Sequence, residues 1–113
     1  HGSHHLHGGL RGFGKVVWRA RPFEDAETIG VMLEYSSKDG EEGYPGNLEA
    51  QIGYAISSAN VFSVDYRSVA ARPTPVNLTQ HSYFNLSGEG SGDVLGHELT
   101  IYADAFTEID EMR

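Results

Sequence analysis

The sequence contains no cysteine, which excludes disulfides, thiolate metal sites and a cysteine nucleophile. Basic side chains are also scarce, because 8 Lys and Arg stand against 16 Asp and Glu and give a net charge of −8. Phosphate groups attract lysine and arginine, so this balance argues against a nucleic acid or an anionic membrane as partner. No apolar run approaches the roughly 20 residues of a membrane helix. No secretion signal is visible, and we expect a cytoplasmic protein.

The length of 113 residues predicts one domain or part of one. The chain starts at His1 without a methionine and stops at Arg113 within a polar stretch. We therefore expect residues 1–113 to form a partial β-sandwich domain that is truncated at both ends.

Long helical periodicity is absent, and alternation with a period of two takes its place. Residues 48–57 place five mostly apolar side chains on one face, as expected of a half-buried antiparallel strand: Leu48, Ala50, Ile52, Tyr54 and Ile56. Residues 58–60 then form a plausible hairpin turn. The following strand would point Phe62, Val64 and Tyr66 inward.

Three further segments are rich in strand-forming residues. Residues 15–21 and 28–36 predict strands joined by an acidic turn over 22–27, and residues 98–103 predict another strand. Short strands separated by turn signals favour an all-β antiparallel fold, either a sandwich or a barrel.

Two segments break the alternation. Residues 36–48 are rich in glycine and charge, which predicts a long exposed loop. The acids Asp39, Glu41 and Glu42 in this loop match no calcium-loop spacing and are interpreted as solvated charges. Residues 74–86 are more polar and less regular than the strands, and such segments often carry function.

His81 lies in this second segment, surrounded by side chains that form hydrogen bonds. Taken alone, it is better interpreted as a buried structural histidine, since most buried polar groups are paired. A catalytic role stays open because histidine, with a pKa of about 6.5, exchanges protons at neutral pH. His97 shares its strand parity with Leu99 and Ile101, which favours a core position.

The amino end is rich in histidine. His1, His4 and His5 suggest either an affinity-tag remnant or a native terminus, and a glycine-flanked end offers little rigidity for a metal site. His7 differs because Gly8 and Gly9 follow it, and glycine lets the backbone approach a ligand closely. We interpret His7 as a ligand-facing residue.

Four stretches occur together in one order: "LHGGLRGFGKVVW" (6–18), "DGEEGYPGNL" (39–48), "TPVNLTQHSYFNLSG" (74–88) and "HELTIYADAFTEIDE" (97–111). In this combination the chain resembles the middle of the aldose 1-epimerase, or galactose mutarotase, family. The resemblance implies the galactose mutarotase-like supersandwich, a large antiparallel β-sandwich. It also implies interconversion of the α and β anomers of a free aldohexose, a small-molecule substrate, with no metal or cofactor.

The same resemblance implies roles for particular residues. His81 becomes the general acid that protonates the ring oxygen, and His7 binds and polarises the ring near the anomeric centre. Asn85 and Tyr83 become candidate substrate-binding residues beside His81. The family's glutamate base, sugar-binding aspartate and arginine would lie outside this chain, and Glu108, Asp110 and Glu111 are not assigned to those roles. We therefore expect the 113 residues alone to be inactive.

Two other functions remain open on the same fold. A hexose-6-phosphate 1-epimerase would need clustered basic side chains, whereas the arginines are scattered along this sequence. A non-catalytic carbohydrate-binding module would not need two titrating histidines.

Overall fold

A computed structural model describes residues 4–109 of the chain. The chain divides into two compact units, His1–Gln80 and His81–Arg113, and each is described by itself. His1 and Gly2 at one end, and Asp110, Glu111 and Arg113 at the other, lie outside the described residues. Within residues 4–109, no helix is long and apolar enough to cross a membrane.

The first unit is built on one four-stranded antiparallel sheet. Its strands are β1 (Arg19–Glu24), β2 (Thr28–Ser37), β3 (Leu48–Ser57) and β4 (Phe62–Ala70), and they lie side by side in chain order. Two 3-10 helices, Phe13–Lys15 and Glu41–Gly43, precede β1 and β3 respectively. The predicted all-β antiparallel class is confirmed.

The strand register gathers the apolar residues onto one face. Ile52 of β3 lies opposite Leu33 of β2 and Tyr66 of β4, so the three side chains share that face. The other face is more polar, with Gln51 paired to Glu34 and Arg67. The predicted bounds of β3 and of the turn after it are correct, and Asn60 in that turn has a φ of 60°.

The buried core of this unit is small. Ala50 and Leu48 are its buried hydrophobic residues, with 1% and 8% of their surfaces exposed. Farther along the same face, Ile29, Ile56 and Phe62 remain about half exposed, at 60%, 53% and 48%. Among the described residues of the sheet, burial is greatest at the end that holds Ser37, Leu48 and Ala50.

The first predicted strand was misplaced. Residues 13–15 form a 3-10 helix, and β1 runs from Arg19 through Pro22 to Glu24. Pro22 lacks an N–H donor, but β1 is an edge strand, where proline is tolerated. Because β1 extends to Glu24, the turn between β1 and β2 is shorter than the predicted span of 22–27. Within this turn, Asp25 accepts hydrogen bonds from the amides of Glu27 and Thr28 at 2.9 Å.

The loop after β2 is more ordered than the sequence indicates. Ser37 at its start and Gly46 near its end are buried, and the 3-10 helix Glu41–Gly43 lies between them. The loop is mostly exposed, as predicted, but its acidic side chains also form hydrogen bonds with other segments, which the sequence did not indicate.

The second unit has no helix or strand among residues 81–109. The strand predicted over residues 98–103 is therefore wrong. Leu99 and Ile101 are 82% and 69% exposed. Alternation gives a segment two distinct faces, but a strand also needs a hydrogen-bonded neighbour, and no β-bridge forms within this described segment.

Candidate active site

His7 lies in a tight turn at the amino end of the first unit. The amide of Gly9 donates to the carbonyl of Leu6 at 3.1 Å, which closes a four-residue turn. His7 and Gly8 between them have φ values of 54° and 76°, as in a type I′ turn. Histidine is among the residues that tolerate this left-handed region, and glycine adopts it freely. The turn leaves His7 on the exposed surface, consistent with its interpretation as ligand-facing.

A carboxylate from the loop after β2 holds the segment that follows this turn. Glu42 accepts a hydrogen bond from the amide of Leu10 at 2.9 Å and another from the amide of Arg11 at 2.8 Å, one on each oxygen. A methyl group at Gly9 would meet the same carboxylate, and the φ of 102° at Gly9 also favours glycine.

An aromatic cluster joins the amino-terminal segment to the sheet. Phe13 lies with its ring centroid 5.3 Å from Tyr35 and 6.0 Å from Trp18, and Trp18 lies 5.6 Å from Tyr35. The indole Nε1 of Trp18 also donates to the carbonyl of Phe13 at 2.9 Å. The two edge-to-face pairs, Phe13 with Tyr35 and Phe13 with Trp18, contribute roughly 0.5–1.5 kcal/mol each beyond the area they bury.

Tyr35 links this cluster to the acidic loop. Its hydroxyl donates to Oε1 of Glu41 at 2.7 Å, and this bond, aided by burial, raises the pKa of Tyr35. Burial acts to raise the pKa of Glu41, but hydrogen bonds from the Tyr35 and Ser37 hydroxyls and the Lys38 amide outweigh it and lower that pKa. Glu41 is thus a structural carboxylate held in its ionised form.

Asp39 closes the other side of the loop. Its carboxylate accepts a hydrogen bond from the Gly46 amide at 2.6 Å and pairs with the guanidinium of Arg72. The Gly46 amide, followed by Arg72, lowers the pKa of Asp39. Asp39 is 55% exposed, as expected of a solvated loop charge, but all three acids of this loop also accept hydrogen bonds from defined donors.

His81 begins the second unit and is exposed. Its ring centroid lies 5.4 Å from that of Tyr83, at an interplanar angle of 46°. Tyr83 is itself 90% exposed. The interpretation of His81 as a buried structural residue does not hold, because its side chain is accessible.

Asn85 shapes the loop that follows. Its Oδ1 accepts a hydrogen bond from the Ser87 amide at 3.0 Å, and its Nδ2 donates to the Gly92 carbonyl at 3.3 Å. Both ends of the amide thus bind neighbouring backbone. His97 is half-buried, in partial agreement with its predicted core position, and its Nε2 is buried without a hydrogen-bond partner.

The histidines near the amino end do not form a metal cluster in the described region. No group of three or more His, Asp or Glu residues within 4–109 could hold a metal ion. The ring of His5 lies against Tyr44, with centroids 5.1 Å apart. The absence of a metal or cofactor requirement stays a prediction.

His7 and His81 belong to different units, so their joint membership in one site also stays a prediction. Sequence reasoning missed the contribution of Glu42 entirely. Gly40 and Gly43, which flank the two glutamates, predict sharp turns, but they do not indicate which groups the acids bind.

Comparison with known proteins identifies the class of protein. The sequence profile of the aldose 1-epimerase family matches residues 1–113, the whole chain. The crystal structure of galactose 1-epimerase from Lactobacillus acidophilus NCFM matches 62% of this chain and 21% of its own, with a TM-score of 0.60 and 34% identity. The chain therefore belongs to the aldose 1-epimerase family, and its sheet is part of that antiparallel β-sandwich fold.

The chain is similar in sequence to galactose mutarotases and to an aldose 1-epimerase. Galactose mutarotase from Sus scrofa is 48% identical over 97% of this chain, and that from Rattus norvegicus is 49% identical over 94%. Aldose 1-epimerase from Escherichia coli K12 is 44% identical over 97% of the chain. The chain spans about 31% of the length of the pig and bacterial relatives.

Proposed function

We propose that these residues supply the acid histidine and a ring-binding histidine of an aldose 1-epimerase that acts on free hexoses such as galactose or glucose. The family match over residues 1–113 is the observation that carries this proposal. The exposure of both His7 and His81 supports it, because a group that meets substrate must be accessible.

The proposed reaction moves two protons and breaks one ring bond. A base takes the proton of the C1 hydroxyl, the C1–O5 bond breaks, and protonated His81 donates its proton to O5. The open aldehyde turns about C1–C2. The hydroxyl at C5 then attacks C1 from the other face and returns its proton to His81, while the base returns the first proton to the C1 oxygen.

Histidine suits the acid role because a pKa near the operating pH is best for proton transfer. His7 would bind beside the ring oxygen, and the hydrogen bonds from the Leu10 and Arg11 amides to Glu42 support this role by anchoring the segment after its turn. Tyr83 lies beside His81 with its ring tilted and would bound the sugar site there, and Asn85 would support the loop or bind a hydroxyl.

A phosphorylated substrate is less favoured by the side chains. Of the five arginines within residues 4–109, Arg21 is paired with Glu34 and Arg72 with Asp39. A basic cluster with free guanidinium forks, which would bind phosphate in a bidentate manner, is not formed by these two.

Polarimetry of α-D-galactose equilibration tests the proposal. We expect the 113-residue chain alone to add nothing to the buffer rate, since it brings no assigned base. The complete protein carrying these residues should equilibrate the sugar rapidly, and His81→Asn should lower its kcat about 10²–10⁴-fold.

His97→Asn is the matched control, because it removes a histidine of the same unit that has no proposed role in the reaction. It should leave kcat within about threefold, as expected away from the reacting atoms. Full turnover by the His81→Asn protein would overturn the acid assignment, and rapid mutarotation by the isolated chain would overturn the need for a base elsewhere.

A further inference from the structure

The backbone at Glu42 is unusual for a residue with a side chain. Its φ of 50° and ψ of 20° lie in the left-handed region, which glycine adopts without steric penalty. Gly40 and Gly43 on either side also have positive φ, at 88° and 87°. A glutamate at such a position, where glycine would be unstrained, indicates that its side chain performs a task.

The contacts of the Glu42 carboxylate indicate what this side chain does. The two carboxylate oxygens accept separate hydrogen bonds, from Leu10 and Arg11, across 32 and 31 residues of sequence. These amides directly follow the turn that carries His7, and Gly9 at the end of that turn packs against the same carboxylate. Hydrogen bonds to an ionised acceptor are stronger than neutral ones.

We propose that Glu42 is a positioning residue, which fixes the His7 turn in the orientation that lets the imidazole meet the sugar ring. This inference rests on the proposed function of His7. Each carboxylate oxygen accepts a hydrogen bond from the backbone segment that follows the turn, so Glu42 acts on His7 through that backbone.

Glu42→Gly is the sharpest variant, because it relieves the left-handed backbone and deletes the carboxylate together. Asn60→Gly is its matched control. Asn60 also has a positive φ, of 60°, but lies in the β3–β4 hairpin. If Glu42 mattered only for its left-handed backbone, Glu42→Gly and Asn60→Gly would have the same effect on amide exchange and on kcat.

Amide hydrogen exchange in the complete protein gives the first readout. Exchange at Leu10 and Arg11 should accelerate at least about tenfold in Glu42→Gly, as expected when a hydrogen bond to a charged acceptor is lost. Asn60→Gly should leave both amides unchanged. Unchanged exchange at both amides in Glu42→Gly would overturn the inference.

Steady-state kinetics of the complete protein gives the second readout. Glu42→Gly should lower kcat about 10–100-fold and change KM by less than about threefold, because a small misplacement of a reacting group mainly slows chemistry. Glu42→Gln keeps one acceptor oxygen, so its kcat should fall less than that of Glu42→Gly. It also tests the inference if the glycine variant does not fold. Wild-type kcat in both variants would overturn the positioning role.

His7→Ala separates this inference from the function on which it rests. Loss of turnover in His7→Ala together with wild-type kcat in the Glu42 variants would contradict only the inference. Full turnover in His7→Ala would contradict the proposed role of His7, and with it the positioning role, whatever the exchange rates show.

Discussion

The two histidine-bearing loops are held in opposite ways. The His7 turn is fixed from a distance, by Glu42 more than 30 residues away and by an aromatic cluster seated on β2. The loop after His81 is shaped locally, with Asn85 bonding to Ser87 and Gly92, at most seven residues away. Long-range contacts tie a loop to the stability of a sheet, whereas local bonds leave it to open independently.

The same contrast appears in burial. Ala50 in the sheet is 1% exposed, whereas Leu86, Tyr102 and Phe106 in the second unit are 85%, 99% and 88% exposed. Exposed side chains contribute little to the folding free energy of a chain. The structural stability of the described chain therefore resides in its first unit.

The largest expected effect is that of a charge placed in the sheet. Ala50→Asp should lower the free energy of unfolding by about 3–5 kcal/mol, because it buries an unpaired carboxylate. Leu99→Asp, the matched change in the second unit, should stay within about 0.5 kcal/mol, since the site is already solvated. Urea denaturation followed by Trp18 fluorescence measures both. If both variants lost the same free energy of unfolding, stability would not reside mainly in the first unit.

A smaller effect is expected at the hydrogen bond between Tyr35 and Glu41. Tyr35→Phe should cost about 1–3 kcal/mol, since it removes a bond to a charged acceptor. Because the pKa values of Glu41 and Asp39 are lowered in the folded chain, their contribution is present above the ordinary values of 4.5 and 3.8. It is lost as the pH falls through the lower folded values.

Urea midpoints measured between pH 7 and pH 2 test this dependence. Stability should fall in acid, and Tyr35→Phe should make the fall shallower because it removes one cause of the lowered pKa of Glu41. Phe84→Leu, a change at an exposed ring of the second unit, serves as control and should keep the wild-type profile. A profile unaffected by Tyr35→Phe would show that Glu41 does not contribute.

The smallest effect is expected at Asn85. Asn85→Ala should lower global stability by less than about 0.5 kcal/mol, because its bonds are local and lie outside the sheet. Amide exchange at Ser87 should nevertheless accelerate, since that amide loses its acceptor at 3.0 Å. A large drop in the urea midpoint would show instead that the loop is coupled to the folded core.

Much of the sheet could be predicted because alternation is a local signal. The bounds of β3 and its hairpin to β4 follow from the side chains of those residues alone. β1 was misjudged at Pro22, since tolerance for proline depends on a strand lying at a sheet edge. Residues 98–103 were misjudged for the opposite reason. Their side chains alternate as in a strand, but a strand also needs a hydrogen-bonded neighbouring strand.

Some residues of the candidate site could likewise be predicted from the sequence, and others could not. His7 and His81 could be selected from their motifs, and the glycines after His7 indicated a turn. The roles of Glu41 and Glu42 could not, because a charged loop residue has the same sequence signature whether it faces water or a distant amide. By itself the sequence determined the all-β class and the family, and it selected His7 and His81 as candidate site residues, since these depend on residue type and local spacing. Only the tertiary structure decided that Glu42 holds the His7 turn, because a hydrogen bond across some 30 residues exists only once the chain has folded.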